Sequence, residues 1–165
     1  MLSLGITIDG TEVKHNLQRV FPNGSGSYSI VEKNYKLAVN QKFTDSTKVT
    51  FGSEDLKYLK ESIIHLWKMG IQSVPANVVY EDIWKDGDDD IYLEQLISLA
   101  DYIIDNQLLD KYNTTFFSDS IGFKAPDEEI MHPICGTGNM YCVDADGDIY
   151  NCVRFMQYSL NNKSS

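Results

Sequence analysis

The stretch KVTFGSEDLKYLKESIIHLWKMGIQSVPANVVY, residues 48–80, decides the fold class of this chain. Its opening residues, KVTF, predict a short strand; Ser53 then opens an amphipathic helix, and Gly70 follows the end of that helix. Residues 71–80 predict a further strand, which Pro75 confines to a sheet edge or an irregular segment. Strand, helix and strand in this order predict a parallel sheet with a helical crossover.

The same alternation continues on both sides of that stretch. Residues 2–9, LSLGITID, predict a buried strand that ends in a turn at Asp9-Gly10. Ser27 is then expected to cap a helix. Residues 92–109 predict the most regular helix, because apolar side chains recur there every three or four positions. The chain therefore predicts three βα units of an α/β fold.

Composition narrows the function classes. The 165 residues are 42% hydrophobic and 23% charged, which is typical of a globular protein. No apolar run reaches membrane-spanning length and no signal-peptide pattern opens the sequence, so we expect a cytoplasmic protein with no membrane partner. A net charge of −10 disfavours nucleic-acid partners.

The acidic run at 86–90 predicts a solvated loop that also places negative charge at the next helix N-terminus.

All three cysteines lie in the segment CGTGNMYCVDADGDIYNCVRF, residues 135–155. Residues 140–153 predict a β-hairpin that brings Cys142 and Cys152 together, with Cys135 approaching from the preceding loop. Clustered thiolates can hold a metal ion or an iron–sulfur cluster, although three are one fewer than a closed four-ligand site needs. The sequence thus predicts an incomplete thiolate site.

Other interpretations of this segment fit less well. Isolated buried cysteines would not be expected to cluster in one turn-rich region. A calcium loop starting at Asp144 would place Ile149 where glycine is needed and Phe155 where glutamate is needed. A conventional zinc knuckle is disfavoured because no CxxC pair occurs. The residues alone favour iron–sulfur over zinc.

The pattern C-x11-G-x4-C, from Cys135 through Gly147 to Cys152, resembles the start of the SPASM domain. This domain is the cysteine-rich extension of radical SAM (S-adenosylmethionine) enzymes that modify peptides. The resemblance implies that Cys135, Cys142 and Cys152 ligate an auxiliary [4Fe–4S] cluster, which further cysteines complete.

A second resemblance lies near the N-terminus. Thr7-Ile-Asp9-Gly10-x4-His15-x3-Arg19 is similar to the fourth strand and following loop of the radical SAM barrel in sulfatase and peptide maturases, although Asn16 stands where aspartate is common. The resemblance implies that Thr7 contacts S-adenosylmethionine. It also implies that Arg19 pairs with a carboxylate of cofactor or substrate, with a surface ion pair as the alternative. His15 is either a loop anchor or a site residue, and no catalytic residue is assigned.

The resemblance covers nearly all of the chain and implies its organisation. Residues 1–110 would form the second half of a partial (β/α)6 TIM-like radical SAM barrel, 111–133 a linker, and 134–165 the start of the SPASM region. The C-x3-C-x2-C motif that binds the cluster cleaving S-adenosylmethionine is absent from the sequence. We therefore expect a fragment that is inactive by itself, holds no fully assembled cluster and self-associates through exposed sheet edges.

The intact enzyme is implied to use S-adenosylmethionine and [4Fe–4S] clusters on a peptide or protein substrate. Val153 follows Cys152 where sulfatase maturases usually carry aspartate, which favours ribosomal peptides as substrates. The alternative is a self-contained small domain that binds zinc or iron, or another protein, without catalysis.

Overall fold

The computed structural model describes residues 6–44, 46–81, 83–118, 141–144, 146–151 and 155. They belong to two compact units, Met1–Ile121 and Gly122–Ser165, which are described separately. The described residues form four α-helices: α1 Glu12–Gln18, α2 Tyr28–Asn40, α3 Leu59–Lys68 and α4 Asp88–Asp105. Their strands are β1 Val49–Phe51, β2 Ser73–Val74, β3 Ala76–Val78, β4 Asn113–Thr114, β5 Cys142–Val143 and β6 Ile149–Tyr150. Short 3₁₀ turns span Leu56–Tyr58 and Thr115–Phe117.

The first unit is a mixed α/β structure whose strands pair in parallel. β1 pairs with β3 and β2 pairs with β4, each in parallel. A bridge between Ser46 and Ser73 keeps the register of the β1–β3 pair. Pro75 separates β2 from β3, and its carbonyl accepts the Val49 N–H at 2.9 Å. The predicted parallel pairing is confirmed, and the predicted strand over 71–80 is two short strands.

Residues 6–9, the described part of the first predicted strand, are not in a β-ladder. The buried Thr47 side chain holds them instead: its Oγ1 accepts the Ile8 N–H at 3.1 Å. The same hydroxyl lies 3.2 Å from the carbonyl oxygen of Ile6. A side chain thus takes the place of a backbone ladder here, which an apolar strand pattern does not reveal.

The core of this unit forms where α3 packs beside the strands. Its buried side chains include Leu59, Ile63, Leu66 and Trp67 of α3, Val49 and Phe51 of β1, and Leu99 and Ile103 of α4. The predicted apolar face of α3 is confirmed, but a 3₁₀ turn precedes the helix, which begins at Leu59 and not at Ser53. α4 lies about one turn earlier than predicted, and Ile97 and Ile104 on it are exposed.

α1 lies between the turn at Asp9-Gly10 and the helix expected after Ser27, where the sequence predicted no helix. Thr11 caps it by accepting the Lys14 N–H at 3.4 Å. Ser27 occupies the N-cap position of α2 as predicted, but its hydroxyl donates to the Arg19 carbonyl. Asn16 supplies the cap instead, because its Oδ1 accepts the Tyr28 N–H at 3.0 Å. The two helices are thereby joined.

The described part of the second unit is an antiparallel hairpin, as the sequence predicted. Cys142 pairs with Tyr150 and Val143 with Ile149. Asp144 Oδ1 closes the turn by accepting the N–H groups of Asp146 and Asp148. Residues 111–118, assigned to a linker from sequence, carry β4 and a 3₁₀ turn, and the boundary between the units follows Ile121. No described helix has the length and apolar character needed to cross a membrane.

We predict that Gly10→Ala destabilises the first unit far more than Gly24→Ala. Both glycines have positive φ, +111° and +81°, but a Cβ on Gly10 would lie 2.2 Å from Ser62 Cβ whereas one on Gly24 meets nothing within 4 Å. We expect a loss of about 2 to 5 kcal/mol for Gly10→Ala and about 1 kcal/mol for Gly24→Ala. Urea unfolding followed by circular dichroism measures both. Equal losses would show that the backbone conformation alone, without the Ser62 contact, sets the effect.

Candidate functional site

A cleft of about 610 Å3 opens where β1 and β3 end. Its walls come from residues 6–9 with α1, from the turn after β1, and from the loop after β3; they include Thr7, Asp9, Arg19, Gly52, Asp55 and Val79. Parallel strands bring their carboxyl ends to one edge, which is where ligand sites of such sheets form. The two residues predicted to contact cofactor, Thr7 and Arg19, therefore line the same cleft.

The Arg19 side chain, which lines the cleft, is held by an ion pair with Asp9. Its Nε donates to Asp9 Oδ2, and Asp9 is buried while the Arg19 side chain is 47% exposed. Among the described residues, the Arg19 Nη groups donate no hydrogen bond. The ion pair thus fixes one edge of the guanidinium and leaves its other donors available to a ligand in the cleft.

His15 anchors the loop on which Asp9 sits. Its ring is fully buried, and Nδ1 accepts the Asp9 N–H at 3.2 Å. Nε2 lies 3.0 Å from Ser27 Oγ, which in turn donates to the Arg19 carbonyl. Because Nδ1 is an acceptor, Nε2 must carry the proton, so the ring is the neutral Nε2–H tautomer. The loop-anchor interpretation of His15 is the one that this geometry supports.

The surroundings of His15 keep it uncharged. Burial lowers the pKa of the His15 imidazole below its usual value, and the Arg19 and Lys14 charges act in the same direction against an opposing effect of Asp9. A protonated ring would have no lone pair for the Asp9 N–H. Neutrality at His15 is therefore a condition for the loop geometry.

A buried ion pair forms the floor of the cleft. Lys14 Nζ lies 3.3 Å from Asp55 Oδ2, with 3% and 7% of the two side chains exposed. The ammonium also donates to the Thr50 carbonyl at 2.8 Å and lies 4.9 Å from the centre of the Phe51 ring. Asp55 Oδ1 accepts the Gly52 N–H at 2.7 Å. These contacts join α1 to the carboxyl end of β1.

Sequence reasoning did not identify Lys14 and Asp55. Lysine and aspartate are among the residues least often buried, so neither position carried a signal of its own. Their pairing depends on the approach of α1 to β1, two elements 31 or more residues apart in sequence. No local pattern reports such a contact.

His65 lies away from the cleft, in the packing between α2 and α3. Its Nε2 is 2.6 Å from the Tyr28 hydroxyl, and burial lowers its pKa. Burial and the neighbouring Glu32 raise the pKa of Tyr28 above that of free tyrosine. His65 thus has a role in the packing of α2 against α3.

Of the predicted thiolate ligands, only Cys142 is described. Its half-buried side chain lies on β5, with Sγ 3.6 Å from the Tyr150 carbonyl oxygen. Cys135 and Cys152 lie outside the described residues, so the shared cluster site stays a prediction. Within the described ranges, no group of three or more histidine, cysteine or acidic side chains is arranged to hold a metal ion.

No protein-family model matches this chain, and no curated protein matches it in sequence. The resemblance to radical SAM enzymes therefore stays a prediction from sequence motifs.

Removing one partner of the buried ion pair should be strongly destabilising. We expect Lys14→Met and Asp55→Leu each to lower the free energy of unfolding by about 3 to 5 kcal/mol, because each leaves an uncompensated buried charge. The double variant should lose less than the sum, since both charges are then gone. Urea titration of the four proteins measures this. Strictly additive losses would show that the two charges do not interact.

Protonation of His15 should be suppressed in the folded protein. Its folded pKa lies below the unfolded value of 6.5, so the unfolded state binds more protons and stability falls as pH drops through 6.5. We expect the fall in stability to be smaller in the His15→Gln variant, which lacks this ring but retains His65. Long-range ¹H–¹⁵N spectra should show the Nε2–H tautomer at pH 6.5. A His15 ring that is half protonated at that pH would contradict the assignment.

Proposed function

We propose that this chain is the second half of a partial radical SAM barrel with the start of a SPASM domain. The intact enzyme then modifies a peptide or protein substrate by S-adenosylmethionine-derived radical chemistry. One observation carries the proposal: Thr7, Asp9 and Arg19, spaced as in the radical SAM pattern, line a single cleft at the strand ends.

The order of the segments supports this assignment. Residues 6–9 lie beside Thr47, residues 46–51 run parallel to 73–78, and 73–74 run parallel to 113–114. α1 and α2, then α3, then α4 lie in the connections between them. Neighbours in space are thus neighbours in the chain, with helical crossovers, which is how successive units of a βα barrel are built.

The chemistry of the cleft also fits the cofactor. Pockets for small ligands typically measure about 300 to 1,000 Å3, and the cleft, at about 610 Å3, is within that range. The free Nη groups of Arg19 suit the carboxylate of the methionine moiety, and the exposed Thr7 hydroxyl can donate or accept one hydrogen bond. Bound S-adenosylmethionine would supply the radical after reductive cleavage. The contribution of this chain is to hold and orient it through Arg19, which Asp9 and His15 position.

The auxiliary cluster is the second part of the proposal. Cys135, Cys142 and Cys152 would supply thiolates to a [4Fe–4S] cluster that assists by electron transfer or substrate ligation. Cys142 lies on a hairpin strand whose turn is tied by Asp144, an arrangement able to present a thiolate at a fixed position. The C-x3-C-x2-C motif for the initiating cluster is not in this sequence, so the isolated chain is expected to be inactive.

Anaerobic iron–sulfide reconstitution of the intact enzyme tests the proposal, with Mössbauer spectroscopy as the measurement. We expect the protein to hold more than one cluster, and the variant with Cys135, Cys142 and Cys152 changed to alanine to hold one fewer. Arg19→Lys should weaken S-adenosylmethionine binding by about tenfold, because lysine cannot make a bidentate contact. One cluster per chain, unaltered in the cysteine variant, would disprove the auxiliary site. Stoichiometric zinc in a cooperative monomer would instead favour a self-contained metal-binding domain.

A further inference from the structure

A second groove, of about 540 Å3, lies beside the loop between β3 and α4. Its apolar wall is formed by Val78 and by the rings of Trp84 and Tyr92. Charged side chains line the remainder: the carboxylates of Asp86, Asp88 and Asp89 and the ammonium of Lys85. The groove therefore combines two aromatic rings with an excess of negative charge.

Both rings are held by contacts of their own. Trp84 Nε1 donates to the Val79 carbonyl at 3.2 Å, and 36% of this residue remains exposed. The Tyr92 ring packs edge-on against Phe116, with centroids 5.8 Å apart and planes at 72°. Since each ring is fixed before anything binds, the aromatic wall is a preformed surface.

The three aspartates of the groove differ in exposure and in the hydrogen bonds that their carboxylates make. Asp88 is buried, and its carboxylate accepts the Lys85 N–H at 2.7 Å. This hydrogen bond, together with one from Ser53, lowers the pKa of Asp88. Asp86 and Asp89 are exposed, and within the described residues neither carboxylate makes a hydrogen bond or an ion pair. These two carboxylates are the ones available to a ligand.

We propose that this groove binds the cationic side chain, arginine or lysine, of a peptide. An ammonium or guanidinium group is attracted to the face of a tryptophan or tyrosine ring and to carboxylates. The aliphatic part of the same side chain suits the apolar wall. An anionic ligand would be repelled by Asp86 and Asp89, and a wholly apolar one would desolvate them without compensation. The net charge of −10 attracts cationic partners from a distance.

The groove is close to the cleft that contains Thr7 and Arg19. Lys85 lines both, and Val79, whose carbonyl fixes Trp84, lines the cleft. A peptide anchored by one basic residue in the groove would extend next to the cleft. Identifying that peptide as the substrate depends on the proposed function, whereas the binding itself does not.

The test uses the 165-residue chain and the blocked peptide acetyl-Gly-Leu-Arg-Leu-Gly-amide. Its twin carries citrulline, the uncharged isostere of arginine. The indole N–H signals of the two tryptophans report binding: Trp84 lies in the groove, and Trp67, 3% exposed, is the internal reference. We expect the arginine peptide to shift the Trp84 signal to saturation and the citrulline peptide to bind about tenfold more weakly at low salt.

A matched pair of double variants separates the effect of the groove carboxylates on binding from the effect of net charge. Asp86→Asn with Asp89→Asn should weaken binding of the arginine peptide about fivefold. Asp101→Asn with Asp105→Asn removes the same charge from exposed positions further along α4 and should leave binding unchanged. Thermal melts confirm that both variants are folded.

Several outcomes would overturn the proposal. Equal weakening in both double variants would assign the attraction to net charge, and equal binding of the citrulline peptide would show that the groove does not recognise charge. A Trp84 signal that does not move with the arginine peptide would exclude the site. None of these measurements needs a cluster or S-adenosylmethionine, so this proposal and the radical SAM assignment can fail separately.

Discussion

The contact between Gly10 and Ser62 is the constraint on which the candidate site depends. With φ at +111° and the Ser62 Cβ within 2.2 Å of where a side chain would begin, only glycine fits between the end of residues 6–9 and α3. This close approach turns the chain directly into α1. Two residues that line the cleft, Lys14 and Arg19, and the buried loop anchor His15 follow from that turn, since each lies on α1 or at its C-terminal cap.

α1 has only seven residues, too few to be stable as an isolated helix. Polar contacts to other elements hold it in place: Lys14 to Asp55 beyond β1, His15 to the Asp9 backbone, and Arg19 to the Asp9 carboxylate. Buried polar groups are stabilising only when all of them are paired. The stability of this part of the fold and the geometry of the cleft therefore depend on the same few interactions.

How much of the structure the sequence could predict depends on how far apart in the chain the interacting residues lie. The periodic apolar residues of α3 and α4 and the alternation of strand and helix are local patterns, so both helices and the parallel pairing were predictable. α1 was missed because its run EVKHNLQ is short, holds only two apolar residues and buries Lys14 and His15 instead of them. Asn16 as the cap of α2 was missed because it acts across 12 residues. Thr7 and Arg19 were predicted as cofactor-binding residues only through a family resemblance, and that role stays a prediction. Asp9 belonged to that pattern without a role of its own, and Asp55 carried no signal; their ion pairs with Arg19 and Lys14 became visible only in the structure.

The acidic run at 86–90 shows how one local pattern supports two roles. The sequence predicted a solvated loop that supplies charge to a helix N-terminus, and Asp88, Asp89 and Asp90 do form the first turn of α4. That role accounts fully for Asp88, whose carboxylate is buried and hydrogen-bonded. It does not account for the position of Asp86 and Asp89 beside Trp84 and Tyr92. Helix stabilisation requires negative charge near the first turn but no aromatic wall. The neighbouring rings are therefore the feature that distinguishes a cation-binding groove from an ordinary acidic loop.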